Sequence, residues 1–537
     1  MNTHADVQSM KLTGNRRGFL SHYARTFARD EDGALVIFGV YVFLIILMVA
    51  GIGVDLMHFE RNRAELQYTL DRAVLAAADL DNDDAYAVVT DYFNKAGLGE
   101  YLSSVTIDEG EGFRSVSATA SAEVRTQFMH MTGIDSLLAP AASTAEERVD
   151  GVEISLVLDV SGSMNSNSRL TNLKSAARDF IDEMILNTEE GKLSISIVPY
   201  ATQVSVPDEL FNEFNVSQEH NYSNCINFEN SDFSETSMDT NVAYERTMHF
   251  DPWYTSDTRS SGANLPLPVC DGRSSREILV MENDANTLKN FISNLSAGGN
   301  TSIDVGMKWG TALLDPSLNP VIQNMIAGGS VGSEFSTRPH AYNDTNALKV
   351  IVLMTDGRNT NQYFIEEDYR DGDTEIWWNS DSDQYSVLNP SSGWYFWPNG
   401  SGGGQWQDHI NGDEESGDGV RLNFGELWGF TSIRYNLFRH YRPWMNASTA
   451  NNTWYYDVFG SVNSSTKNTR TNAICNAVKD QQVIVFAIGF EAPSAGQAIL
   501  ASCASSASHY FNVTGGAELT DAFYSIASSI RKLRLTQ

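Results

Sequence analysis

The longest run of apolar positions comes early in the chain. From Gly33 to Val54 it reads GALVIFGVYVFLIILMVAGIGV, about 22 residues without a charge and enough to cross a bilayer as a helix. A cleaved signal sequence is the alternative, but its apolar region usually runs about 7–15 residues and ends in a small-residue cleavage site. Residues 55–80 instead keep a helical period, with Leu56, Phe59, Leu66, Leu70, Val74 and Ala77 near one face. No proline interrupts 34–80, so the spacing predicts one continuous helix of roughly 70 Å. Its second half is expected to rise as a stalk or to pack on a small domain.

The pattern then shortens to a period of two. SSVTIDEG and RSVSATASAEVRTQFM, within 101–149, alternate as half-buried strands do. APAASTAEERVDG (139–151) is small and polar and reads as a linker strand. From Val152 the grammar changes again. EISLVLDV is apolar without alternation, as expected of a strand buried on both faces. RLTNLKSAARDFIDEMIL is an amphipathic helix, and KLSISIVPYA a strand. Helices around DANTLKNFISNL and SIDVGMKWGTALL, the strand LKVIVLMTDG, a helix around TNAICNAVKD, the strand QVIVFAIGF and a closing strand and helix follow. This alternation predicts a doubly wound α/β fold with a mainly parallel sheet.

Residues 205–275 and 360–468 break the alternation. Both are polar and aromatic, and the second holds Trp377, Trp378, Trp394, Trp397, Trp406, Trp428, Trp444 and Trp454. Disordered segments carry few aromatics, so both are expected to be folded insertions, with either a satellite core or an exposed recognition surface. The expected organisation is a basic segment over 1–32, a transmembrane helix over 33–54, and a helical stalk with a small α+β domain over 55–150. The α/β domain fills 151–537, with its two insertions.

Charge and cysteines add topology. The formal net charge is −32, which argues against nucleic acid as a partner. The basic cluster Lys11, Arg16, Arg17, Arg25 and Arg29 precedes the span, so the positive-inside rule puts the N-terminus in the cytoplasm and the bulk of the chain outside it. Cys225, Cys270, Cys475 and Cys503 form no CxxC pair. In an oxidising compartment they read as two disulfides, and 225–270 with 475–503 is one of three connectivities.

Candidate chemistry gathers at strand ends. Asp159, Ser161 and Ser163 follow the first buried strand, Thr301 sits on the Gly-rich loop SAGGNTSIDVG, and Asp356 ends VIVLMTDG. In an open α/β sheet ligands bind outside the carboxyl ends of the strands. Two carboxylates and hydroxyls, with no Cys or His, suit Mg²⁺ first and also Ca²⁺ or Mn²⁺. A polar turn accounts for SGS taken alone. VSGSM fails the GxSxG nucleophile pattern, and no P-loop GKS or GKT is present. With no general base evident beside these residues, the chain does not read as an enzyme.

DVSGSM matches DxSxS, and with Thr301, Asp356 and GMKWGTALLDP it resembles the von Willebrand factor A domain and its metal-ion-dependent adhesion site. That resemblance implies a cation held by Asp159, Ser161, Ser163, Thr301 and Asp356, and a partner's carboxylate as its last ligand. RDEDGALVIFGVYVF, the spacing Gly51 to Asp55 and LQ…D.A.LAAA resemble the TadE/TadG-like segment of tight-adherence (Flp) pilus assembly proteins, and the C-terminal residues from Cys503 onward are also similar to the TadG type. Gly33 before an apolar run is similar to a prepilin processing site, yet the fifth following residue is Phe38 rather than Glu, so a retained anchor is expected. The resemblances imply a single-pass protein of the bacterial inner membrane, a pilus-assembly or adhesion component with other pilus proteins as partners. The alternative is a chaperone-like von Willebrand A subunit cooperating with an AAA+ ATPase.

Overall fold

The computed structural model describes residues 25, 32–79, 82, 84–110, 113–148, 151–189, 191–344 and 347–534. Most of the expected basic segment 1–32 therefore lies outside the described residues. The chain divides into two compact units, Met1–Glu109 with Arg114–Glu147 and Gly110–Phe113 with Arg148–Gln537.

In the first unit, helix α1 spans Asp32–Ala78 without a break, as its uninterrupted periodicity predicts. Its first half is apolar all round and exposed, with Leu35, Phe38, Phe43, Ile45 and Val49 on its surface. A helix of that kind belongs inside a core or a bilayer. Its second half is amphipathic and buries Leu66, Leu70, Ala73, Val74 and Ala77 against α2 (Ala85–Lys95) and a three-stranded sheet. The strands β1 (Leu102–Gly110), β2 (Phe113–Arg125) and β3 (Ser136–Arg148) lie in that order. Val116, Ala118, Ala120 and Ala122 of β2 all point into the core, as a period of two requires. The stretch 139–151, read from sequence as a linker strand, is mostly β3 and belongs to this sheet. Its alternate residues Ala139 and Ala141 are buried, and its polar character suits an edge strand with one wet face.

The second unit is built on a six-stranded sheet. Its strands are β4 (Gly151–Asp159), β5 (Leu193–Tyr200), β6 (Leu279–Glu282), β7 (Ala347–Thr355), β8 (Ile484–Phe490) and β9 (Tyr510–Val513), in the order β9-β8-β7-β4-β5-β6. All pairings are parallel except β5 with the edge strand β6. Every residue of β4, β5, β7 and β8 is buried, which explains the continuous apolar stretches LVL, VIVLM and IVFAI of β4, β7 and β8; β5 alternates as LSISI, and its serines are buried too. Helix α3 (Arg169–Leu186) packs against α4 (Ala285–Asn294), while α5 (Ile303–Ala312), α6 (Ser464–Asp480) and α7 (Ser494–Cys503) form a second group; α8 (Gly516–Arg534) packs on α3 through Phe523 and Phe180. Helix α5 is buried along its whole length. Gly306 and Gly310 allow this: a Cβ on Gly306 would meet Tyr200 at 2.7 Å, and one on Gly310 would collide with Val157.

The two insertions share a core of their own. Met248, Phe250 and Val269 of the first pack with Ile376, Val387, Phe396, Leu422, Trp428, Ile433 and Tyr441 of the second. The second insertion carries a five-stranded sheet made of Asp373–Asn379, Gln384–Asn389, Trp394–Pro398, Gly404–Gln407 and Gly419–Asn423. Trp397 and Trp428 are buried, whereas Trp394 and Trp406 stay exposed. Cys225 is bonded to Cys270 and Cys475 to Cys503.

Candidate metal centre

Strands β4 and β7 are parallel neighbours in register from Gly151 and Ala347 to Leu158 and Met354, so their carboxyl ends finish side by side. Asp159 is the last residue of β4, Thr355 the last of β7, and Asp356 follows. Asp159 is wholly buried. Its Oδ1 accepts the Ser161 N–H at 2.7 Å and its Oδ2 accepts the Thr355 hydroxyl at 2.5 Å. Ser161 Oγ lies 3.1 Å from Ser163 Oγ, and Ser163 donates to Asp356 Oδ1 at 2.6 Å.

The loop carrying Thr301 closes over this row. The Gly162 N–H donates to the Gly299 carbonyl at 2.9 Å. Gly299 has φ +87°, and a side chain there would meet Thr202 Oγ1 at 2.7 Å, so glycine is needed at this crossing. The loops converge on Gly357. A Cβ at that position would lie 3.6 Å from Thr301 Oγ1, 3.7 Å from Thr355 Oγ1 and 3.9 Å from Ser163 Oγ. Asp159, Ser161, Ser163, Thr301 and Asp356, nominated separately from sequence, thus meet at one strand end. Ser163 faces solvent, while the other four are buried.

The electrostatics are those of a site rich in negative charge. Burial, and then the neighbouring Asp356, push the Asp159 carboxyl up to about 7. Arg169, at the start of α3, answers part of that charge. Its Nη1 lies 2.8 Å from Asp356 Oδ2 and its Nη2 2.8 Å from Glu491 Oε2. Two more buried cations pin the loops themselves. Arg276 donates to the carbonyls of Val160 and Gly298, each at 2.8 Å, and pairs with Asp271 at 2.7 Å. Lys467 Nζ donates to the carbonyls of Thr301 and Thr360, each at 2.8 Å, and to Ser302 Oγ at 2.5 Å. Burial lowers Lys467 to about 8, with Asp304 opposing the shift. The Asn359 side chain accepts the first N–H of α5, from Ile303, at 2.8 Å.

This set of hard oxygens where three loops converge fits a small divalent cation. Among the described residues no group of three or more His, Cys, Asp or Glu is placed to hold a metal, so hydroxyls would make up most of the protein's ligands. Sequence reasoning missed Thr355, Arg169, Lys467 and Arg276. Thr355 could have been found, because it lies beside Asp356 at the end of an apolar strand. Arg169 reaches Asp356 across 187 positions of chain, Lys467 reaches Thr301 across 166 and Arg276 reaches Val160 across 116, and no local pattern marks them.

Residues 33–80 match the Flp pilus-assembly TadE/G-like family. No curated protein matches the chain. Among solved structures, the pilus adhesin SpaC from Lactobacillus rhamnosus GG is similar at 12% identity and TM-score 0.32, over 80% of this chain but only 34% of that one. The vWF domain of the type V pili tip protein Mfa5 from Porphyromonas gingivalis is similar at 15% identity and TM-score 0.32, over 72% of this chain and 98% of that one. The pilus adhesin RrgA from Streptococcus pneumoniae is similar at 12% identity and TM-score 0.30, over 80% and 49%.

Proposed function

We propose that this chain is a membrane-anchored, non-enzymatic adhesion or assembly component of a tight-adherence (Flp) pilus system. Its von Willebrand A-type domain, over 151–537, binds a partner through a divalent cation, Mg²⁺ before Ca²⁺ or Mn²⁺, held by Asp159, Ser161, Ser163, Thr301 and Asp356. The observation that carries the reading is the meeting of these five side chains at the joined ends of β4 and β7. The family match over 33–80 supplies the pilus context.

The protein's own residues divide the work. Thr355 and the Ser161 N–H orient the Asp159 carboxylate. Arg276 and Lys467 hold the loops rigid, so that the hydroxyls of Ser161, Ser163 and Thr301 are preorganised rather than recruited. Ser163, being exposed, marks the side from which a ligand enters. The cation, when bound, offers a vacant coordination position to a carboxylate of the partner. The span 33–54 anchors the chain in the bacterial inner membrane, with the N-terminus cytoplasmic and the α/β domain outside, where both disulfides can form.

The test uses Mn²⁺ as the probe on the full chain in detergent, followed by electron paramagnetic resonance. Saturable Mn²⁺ binding that Mg²⁺ displaces, and that Asp159→Asn reduces at least tenfold, is expected. Equal binding in Asp159→Asn and in the parent chain refutes the site. Protease protection of the α/β domain in spheroplasts would refute the orientation.

A further inference from the structure

Within the first unit, one turn is fixed against α1 at the point where its apolar run ends. Gly51 lies inside the uncharged stretch 33–54, and the ring of Phe128 fills the space where its side chain would be: a Cβ there would come within 2.5 Å of Cγ and Cδ1. Asp55 is one turn further on, on the same helix face. It is only 4% exposed, and its carboxylate accepts the N–H groups of Gln127, Phe128 and Met129 at 2.9, 2.8 and 2.7 Å. These belong to the turn between β2 and β3, which contains the short helix Met129–Thr132.

The Asp55 contact changes where the apolar surface stops. The first carboxylate after the run is turned inward and its charge is met by three N–H donors. Val54, Leu56 and Met57 continue the exposed apolar surface; His58 is the first exposed polar side chain beyond them and Glu60 the first exposed carboxylate. At 1.5 Å per residue, Glu60 lies about 13 Å beyond Gly51 along the helix. Beside this zone the turn exposes two large apolar side chains among the polar Gln127, His130 and Thr132. Met131 is 74% exposed and Ile134 40%, where a turn facing water would carry polar residues.

We infer that the turn 126–134 is a second membrane contact, resting on the reading that 33–54 spans a bilayer. Phe128, Met131 and Ile134 sit in the interfacial layer of the leaflet where α1 emerges. Interfacial segments bury apolar side chains about 5–10 Å into the boundary between headgroups and acyl chains, a depth the turn shares because Phe128 is packed on a residue of the span. The Asp55 clamp sets that depth, and with it the height at which β1–β3 stand over the lipid. The occupant is lipid rather than protein, because Phe128 of the turn packs on Gly51, a residue of the span itself.

The test reconstitutes the full chain in phosphatidylcholine–phosphatidylglycerol vesicles and attaches an environment-sensitive fluorophore to Met131→Cys. All four native cysteines are in disulfides, so the label is specific. Blue-shifted emission, quenched several-fold by lipid with a nitroxide near the headgroup and little by aqueous iodide, is expected. A label at Tyr86→Cys, on α2, should respond the opposite way, and Asp55→Asn should raise iodide access at position 131 several-fold. Free iodide access at Met131→Cys, with a Phe43→Cys label still quenched by deep nitroxide, overturns the inference and leaves the span intact. A blue-shifted label that neither quencher reaches indicates cover by protein and also overturns it. If Phe43→Cys is itself open to iodide, the span fails and takes the inference with it.

Discussion

At the scale of single residues, Thr355 is the simplest lever on the candidate metal centre. Its hydroxyl is the partner of one oxygen of a buried carboxylate. Thr355→Val keeps the shape and removes the donor, so it should cost about 1–3 kcal/mol, the price of leaving a buried polar group unpaired, read as a lower urea midpoint. Arg169 gives a prediction of opposite sense. It neutralises Asp356 and Glu491, and a bound cation would compete for the same negative charge. Arg169→Gln should therefore be less stable without metal and gain more melting temperature from Mg²⁺ than the parent chain. An equal Mg²⁺ increment in both proteins would show that Arg169 does not compete.

At the scale of elements, helix α6 connects the second insertion to the sheet and bears on the Thr301 loop. Lys467 emerges from it fully buried. Lys467→Met should cost several kcal/mol, on the order of 3–5, as removal of one partner from a buried charged network does. The loss should appear as well in weaker Mn²⁺ binding, because the Thr301 carbonyl loses its tether. The disulfide Cys225–Cys270 closes a separation of 45 residues in the first insertion, and removing such a crosslink should lower stability by about 4 kcal/mol in the chain-entropy picture. The unfolding of the Cys225→Ser/Cys270→Ser variant measures it.

Which elements were legible follows from their environment. β4, β7 and β8 could be read because burial on both faces leaves mostly apolar runs, broken in β4 and β7 by the buried pair Glu153–Lys349, and α1 because nothing interrupts its period. The pairing of the four cysteines matched the nearest-neighbour option among the three. The five-stranded sheet of the second insertion was not legible beyond the expectation that 360–468 folds. Its strands are short and aromatic, and cross-strand contacts such as Trp377 with Tyr395 specify it rather than a periodic pattern. β3 was half-read, since its alanines look like linker residues until β2 lies beside them. In the candidate metal centre Asp159, Ser161, Ser163 and Asp356 were marked by strand-end position and Thr301 by its Gly-rich loop, and only their joint occurrence with DxSxS outweighed a polar turn. Arg169, Lys467 and Arg276 were not marked, since a long side chain reaching a distant backbone carbonyl leaves no trace in spacing.

At the scale of the whole molecule, pH should act through histidines held neutral in the interior. Burial lowers His220 to about 3, helped by Arg246, lowers His249 to about 4, and lowers His440 to about 3. Unfolded histidine titrates near 6.5. As pH falls below that value the unfolded chain takes up protons that the folded chain refuses, so stability declines from about pH 6.5 toward pH 4. Urea midpoints at pH 7 and pH 4.5 should show the drop, and His249→Gln should reduce it. Because Asp159, held up to about 7, shifts stability in the opposite sense over the same interval, the deciding result is the variant: an equal drop in His249→Gln and the parent chain would exclude His249 as a contributor.

The parallel run of β4 between β5 and β7 has a mechanical side. The chain enters β4 from the first unit, which carries α1, and leaves it at Asp159. A partner gripping the metal centre and a membrane holding α1 would pull on opposite ends of the same strand. Eight residue pairs with β5 and eight with β7 line its two edges, and a pull that reaches Asp356, at the end of β7, against the N-terminal end of β4 loads the β4–β7 ladder in shear, all at once rather than one after another. Stretched between a handle at the N-terminal end of β4 and one beside Asp356 at the end of β7, the domain should yield at a markedly higher force than when β9, an edge strand, is peeled away sideways. Equal forces for the two geometries, in single-molecule pulling, would remove β4 as the tension-bearing strand.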